Sequence, residues 1–241
     1  MRFLAKLLYG LYAGVLFLVL SVSALLVMIV LPGLERRRTL ARRAARLFLR
    51  LARMPLTVEG LERLPAGQCI LVANHCSYLD GVVFTAALPP RFGFIIKREM
   101  ASVPLAGFLL SRIGSQFMAR DKAAQTTRDA RRVMRSAASG QSLVFFPEGT
   151  FTEEPGLLKF HFGAFATAQR AGCPVVPAVI RGSRLALSPR NGLPQPTPLH
   201  VEILEPVTPT PLQGTEAVAA LCRKARNAIL GRLQEPDREA A

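Results

Sequence analysis

Hydrophobic positions follow two regimes along the chain. From Leu7 to Leu31 they run on without a charged residue, which predicts one continuous apolar helix. At 1.5 Å per residue that run spans roughly 37 Å, against a hydrocarbon core of about 30 Å, so a tilted membrane crossing fits. A cleaved signal peptide is the rival reading, with Arg2 and Lys6 as its basic start and Ser21-Val22-Ser23 as its cleavage site, but the apolar run continues past that point to Leu31. From Pro55 onward, short apolar runs alternate with stretches of helical periodicity. The runs predict strands at Cys69 to Ala73, Phe92 to Lys97, Ser142 to Phe146, Val175 to Val179 and Leu199 to Leu204. The stretches predict helices at Asp80 to Leu88, Val103 to Ile113, Ala123 to Ser139, Gly163 to Ala171 and Thr215 to Leu233. Such alternation implies an α/β fold, with a mixed, largely parallel sheet flanked by helices. Residues 1–54 are then a membrane helix followed by a basic amphipathic helix, and residues 55–241 a single domain. Ser188 to Pro198, rich in proline and glycine, reads as a surface loop, and the last few residues as frayed.

Charge sharpens this picture. The net charge is +15, and eight arginines lie between Arg36 and Arg53. The basic excess after the apolar run places the rest of the chain on the cytoplasmic side of an inner membrane by the positive-inside rule. In this segment Leu40, Ala44, Leu47, Phe48 and Leu51 form an apolar stripe, while Arg42, Arg43, Arg46, Arg50 and Arg53 occupy much of the remaining surface. Two readings fit that helix: it lies on an anionic phospholipid surface, or its charged face packs on the domain. Nucleic acid is not an expected partner, because the arginines adjoin the apolar run and no zinc-ligand spacing, RNA-binding aromatic motif or helix-turn-helix pattern is present. The four cysteines, at 69, 76, 173 and 222, show no CxxC pair, which fits a reducing compartment and neither a disulfide framework nor a metal site.

The candidate chemistry lies at strand ends. Asn74-His75-Cys76-Ser77-Tyr78-Leu79-Asp80 follows the first predicted strand, and Phe146-Pro147-Glu148-Gly149-Thr150 follows the third. Open α/β sheets bind ligands at such carboxyl ends. His75, Asp80, Glu148 and Gly149 are therefore expected on one rim, with Asp80 orienting His75 as a general base. Cys76, beside the histidine, reads as a space-filling residue. His161 is expected to be partly buried and structural, and His200 to be packing or surface.

These motifs closely resemble the first and third blocks of the glycerolipid (lysophospholipid) acyltransferases, typified by the 1-acyl-sn-glycerol-3-phosphate acyltransferases. Lys97-Arg98-Glu99-Met100 with Val103-Pro104 is similar to the family's segment after the first block, and Gly114 to Arg120 to its second block. Lys159, Gly163, Ala164 and Phe165, followed by Val175 to Val179, resemble the stretch through its fourth. The resemblance implies transfer of a fatty acyl group from acyl-CoA or acyl-ACP to the free hydroxyl of a lysophospholipid, most simply lysophosphatidic acid, with no cofactor. It assigns catalysis to His75 and Asp80. Substrate contacts are assigned to Glu148, Gly149 and Thr150, and to the cations Arg120, Lys97 and Lys159, since a lysophosphatidate and a phosphopantetheine are both phosphorylated. For Glu148, a hydrogen bond to a glycerol hydroxyl, or a role in fixing a neighbouring cation, suits a carboxylate better than contact with phosphate. One departure stands out: Phe151 follows the third block where many members carry arginine or serine, which opens a lyso-aminolipid as an alternative acceptor. An acyl thioesterase and a non-enzymatic membrane or nucleic-acid adaptor are the remaining alternatives.

Overall fold

The computed structural model describes residues 2–119, 123–190, 192–209 and 214–239. Among the described residues seven strands form one sheet: β1 (Leu56–Glu59), β2 (Ile70–Ala73), β3 (Phe92–Lys97), β4 (Gln116–Met118), β5 (Ser142–Phe145), β6 (Val175–Arg181) and β7 (Leu199–Ile203). Their order is β1-β7-β6-β2-β5-β3-β4. From β6 to β4 all neighbours are parallel, whereas β7 runs antiparallel to β6 and pairs parallel with β1. The expected mixed, largely parallel sheet is thus observed. β1 and β4 were not expected, because four and three residues are too short to show a period.

Helices α1 (Arg2–Val30), α2 (Leu34–Leu51), α3 (Asp80–Ala87), α4 (Ala106–Arg112), α5 (Ala123–Ala138), α6 (Gly163–Ala171), α7 (Ser183–Ala186) and α8 (Thr215–Leu233) complete the order. Alternation along the buried strands divides the core. Leu71, Ala73, Val144 and Val176 pack with α2 and α3 on one face of the sheet. Ile70, Val72, Leu143 and Val175 pack with α5, α6 and α8 on the other. Side chains alternate across a strand, so a run that is apolar at every position requires both faces to be covered.

α1 lies along α2. The Tyr9 and Tyr12 hydroxyls donate to the Ala52 and Leu51 carbonyls at 2.5 and 3.1 Å, Phe17 packs edge-on to Phe48 at 5.3 Å, and Met28 is buried with Ala41 and Ile113. Its outer face, including Leu4, Leu8, Leu11, Val15 and Leu18, is exposed. Phe3–Val30 is long and apolar enough to cross a membrane.

The stripe read on α2 is rotated in the structure. The buried positions are Arg38, Ala41, Ala45, Phe48 and Leu49, while Leu47 and Leu51 are exposed. Three arginines turn toward the domain. Arg38 donates to the Ile113 and Arg91 carbonyls at 2.9 and 2.8 Å. Arg42 and Arg46 donate to Ala86 and Ala87, among the last carbonyls of α3, which lack partners within their own helix and carry its negative dipole end. Of the two readings for this helix, the face packed on the domain describes these three residues.

Candidate active site

β2 and β5 are adjacent and in parallel register, Val72 opposite Phe145, so the segments that follow them leave the sheet side by side. After Ala73, where β2 pairs with Ala178 of β6, the Asn74 side chain continues the ladder. Its Nδ2 donates to the Ile180 carbonyl at 3.0 Å, and its Oδ1 accepts from the Ile180 amide at 2.8 Å. One side-chain amide thus replaces a peptide group, and the main chain is free to turn toward the rim. In the sequence, the mark of this role is a polar amide directly after the apolar run Cys69 to Ala73.

Asp80, the first residue of α3, is fully buried. Its Oδ2 accepts from the Cys76 and Ser77 amides at 2.7 and 2.9 Å and lies 2.8 Å from His75 Nδ1. A carboxylate oxygen engaged in this way offers only lone pairs, so Nδ1 carries the proton and Nε2 is left as the basic nitrogen. Phe146 stacks on the imidazole at 4.5 Å and 21°, and Phe151 meets it edge-on at 4.5 Å and 73°. With both rings and Asp80 against it, the histidine side chain retains 19% exposure, and among the described residues no hydrogen bond takes Nε2.

The second segment begins with a tight turn in which the Gly149 amide donates to the Phe146 carbonyl at 3.0 Å. Pro147 suits its second position, and Gly149 takes φ 75°, a conformation that costs glycine nothing. Glu148 is thereby aimed inward. Its Oε1 accepts from the His75 backbone amide at 2.6 Å and its Oε2 from the Leu158 amide at 2.9 Å. Burial pushes its carboxyl up to about 7, against the pull of those two amides and of Arg184. With each oxygen held by a backbone amide and only 4% of the residue exposed, Glu148 fastens one strand-end segment to the other. The Arg184 guanidinium that acts on it pairs with Glu235 at 3.2 Å. Cys76 is buried beside Asn74, and burial together with the Asp80 charge drives its thiol far up. It is no nucleophile at neutral pH.

The remaining expected residues are dispersed. Thr150 is exposed next to Gly149. Lys97, at the end of β3, lies 3.9 Å from Glu99 and is half-exposed, and Lys159 is exposed. Among the described residues, no hydrogen bond or ion pair joins either lysine to the dyad. Arg120 lies outside the described residues. The Ala119 amide before it donates to Asp129 at 2.9 Å, and the two Asp129 oxygens also take Arg98. His161 is exposed rather than partly buried; its backbone amide, not its ring, is engaged, donating to the Pro147 carbonyl at 2.8 Å. His200 lies on β7, 3.9 Å from Glu59 of β1, as surface packing.

A family model described as Acyltransferase matches residues 55–181. The chloroplastic 1-acyl-sn-glycerol-3-phosphate acyltransferase BAT2 of Brassica napus is 31% identical over 175 residues, 71% of this chain and 49% of that protein. The chain therefore spans about half the length of this plant relative. The lyso-ornithine lipid O-acyltransferase of Pseudomonas aeruginosa is 30% identical over 204 residues, 74% of this chain and 72% of that protein. The crystal structure of the 1-acyl-sn-glycerophosphate (LPA) acyltransferase PlsC from Thermotoga maritima shares the fold, with a TM-score of 0.74 at 23% identity, covering 97% of this chain and 100% of that one.

Proposed function

This chain belongs to the acyltransferase family, and from that premise we propose that it transfers a fatty acyl group from acyl-CoA or acyl-ACP to the free hydroxyl of a lysophospholipid. Lysophosphatidic acid is the foremost acceptor and phosphatidic acid the product. The observation that carries the reading is the His75–Asp80 pair, with Nδ1 held at 2.8 Å and, among the described residues, no hydrogen bond on Nε2. In the proposed step Nε2 removes the acceptor's hydroxyl proton as that oxygen bonds to the thioester carbonyl carbon. The carbon–sulfur bond then breaks, and the imidazolium returns its proton to the departing thiolate. General-base help of this kind is worth about 10²–10⁴ in rate. Asp80 keeps the productive tautomer and stabilises the imidazolium as it forms. No serine or cysteine nucleophile is needed, in keeping with the raised Cys76 thiol.

In this reading α1, the outward arginines Arg43 and Arg50 of α2, and Arg53 just after it hold the domain at an anionic inner membrane, on its cytoplasmic side. An insoluble acceptor then enters sideways from the lipid. A lyso-aminolipid is the second reading for the acceptor. It is favoured by Phe151, which sets an aromatic ring rather than a cation against His75, and by the similarity to the lyso-ornithine enzyme.

A panel of purified lysolipids offered with acyl-CoA or acyl-ACP, with diacyl products identified by mass spectrometry, tests the proposal. Product with lysophosphatidate, lost in His75→Ala, is the expected result. Product only with an amino-lysolipid selects the second acceptor. Free fatty acid without diacyl product would replace acyl transfer by thioester hydrolysis.

A further inference from the structure

The segment 235–239, expected to fray, is instead clamped onto the loop that leaves the Glu148 turn. The Gly156 amide donates to Glu235 Oε2 at 2.6 Å. The Leu157 amide donates to the Pro236 carbonyl at 2.9 Å, and the Arg238 amide returns a bond to the Leu157 carbonyl at 3.1 Å. These bonds make a short parallel bridge between Leu157 and Asp237. Arg226, on α8, is 6% exposed and joins the two pieces. It grips both Asp237 oxygens at 2.9 and 2.6 Å and donates to the Leu157 carbonyl at 3.1 Å. From α7, Arg184 donates to the Thr152 carbonyl and pairs with Glu235. Arg238 donates to the Thr152 hydroxyl at 3.0 Å. Gly156 is required at this junction: it sits at φ 135°, and a Cβ there would come within 2.5 Å of the Arg238 side chain and 3.0 Å of the Pro236 carbonyl.

What the clamp holds lies two hydrogen bonds from the base. Leu158, next to the clamped Leu157, supplies the amide that fixes Glu148 Oε2, and Oε1 fixes the backbone of His75. At its other end the same loop begins with Phe151, packed on the imidazole. We infer that segment 235–239, locked by Arg226 and Asp237, is a positioning brace for the catalytic histidine, acting through Leu158 and Glu148 without touching substrate. A bidentate arginine–carboxylate pair is directional, and displacement of a reacting group by about 1 Å can cost on the order of 10²-fold in rate.

The inference rests on the acyl-transfer reading, and its test separates the two. Asp237→Ala and Gly156→Ala are compared with wild-type full-length protein well below the melting temperature of each, with turnover and hydrogen exchange of the 150–160 peptide measured in parallel. Both variants are expected to lose about 10-fold or more in kcat, with KM for donor and acceptor within about 3-fold, and to exchange faster in that peptide. Asp237→Glu, which keeps the charge, should recover part of kcat. A variant with faster exchange and wild-type kcat overturns the brace, as does a loss that falls on KM alone or that follows only the unfolded fraction. Should Asp237→Ala fail to fold, Gly156→Ala, which leaves every charge in place, decides by the same readouts. Wild-type protein that transfers no acyl group to any lysolipid, yet shows the same exchange contrast, refutes the proposed activity instead.

Discussion

The segments that follow β2 and β5 leave neighbouring strands on the same rim, and each contributes one buried carboxylate to the site, yet the two carboxylates do different work. Asp80 gathers the His75 ring and two amides of its own segment on a single oxygen. It is a local device, complete within six residues. Glu148 divides its oxygens between the His75 and Leu158 amides, so it is a long-range device that fixes one segment relative to another. A carboxylate in a strand-end motif is therefore no guide to its task. What it faces decides, and an imidazole ring nitrogen is a different object from two backbone amides.

Four measurements would break or sharpen this contrast. The largest effect belongs to Asp80→Asn, which retains an acceptor oxygen for the amides and removes the charge that supports an imidazolium. Turnover should fall by about 10²–10⁴ while the melting temperature moves little; near-wild-type kcat would show that Asp80 is only a scaffold. Glu148→Gln should act on both axes. Its NH2 faces a backbone amide with no acceptor, which costs about 1–3 kcal/mol of stability, and kcat should fall roughly 10-fold or more as the His75 backbone drifts. A variant that changes only acceptor KM would return Glu148 to substrate binding.

The pH dependence of stability isolates Glu148 further. Its carboxyl is raised from 4.5 to about 7 in the folded protein, so between those values the folded state holds a proton that the unfolded chain has released. By linkage its contribution is full below about pH 4.5 and declines as pH rises through about 7. The decline is on the order of 3 kcal/mol. Denaturant titrations of wild-type protein and Glu148→Gln across pH 4–8 should show a flatter profile for the variant, and parallel profiles would refute the assignment. The smallest effect is expected of Phe151→Ala, which removes one edge contact to His75 worth about 0.5–1.5 kcal/mol. A fall of a few-fold in kcat is the outcome to look for, with the ratio of amino-lysolipid to lysophosphatidate turnover as the second readout.

Much of the fold was legible from period and punctuation. Of the five predicted strands, Phe92–Lys97 has the same bounds in the structure and the others agree to within one or two residues. Fully apolar runs of that length have few alternatives to buried parallel strands. The helix expected from Val103 starts at Ala106, because Arg98–Ser102 forms a 3-10 turn and Leu105 takes φ 63° before it. In the site, the pairing of His75 with Asp80 could be read because both partners lie within one short segment. The roles of Asn74, Glu148 and Arg226 could not, since their partners lie 106, 73 and 11 residues away. α2 shows the same limit. An arginine that will reach an α3 carbonyl has the same local pattern as one that stays exposed, such as Arg43.

The sequence by itself determined the apolar first helix, the strand–turn–helix alternation, and the delivery of a histidine–aspartate pair to a strand end. Each of these depends on residues within a turn or two of one another, where periodicity and steric rules act directly. Only the tertiary structure decided that Glu148 grips backbone, that three arginines of α2 face inward, and that residues 235–239 close over the loop beside His75. Those outcomes depend on strand order and register, which bring distant amides and carbonyls into hydrogen-bonding range only after the sheet is assembled.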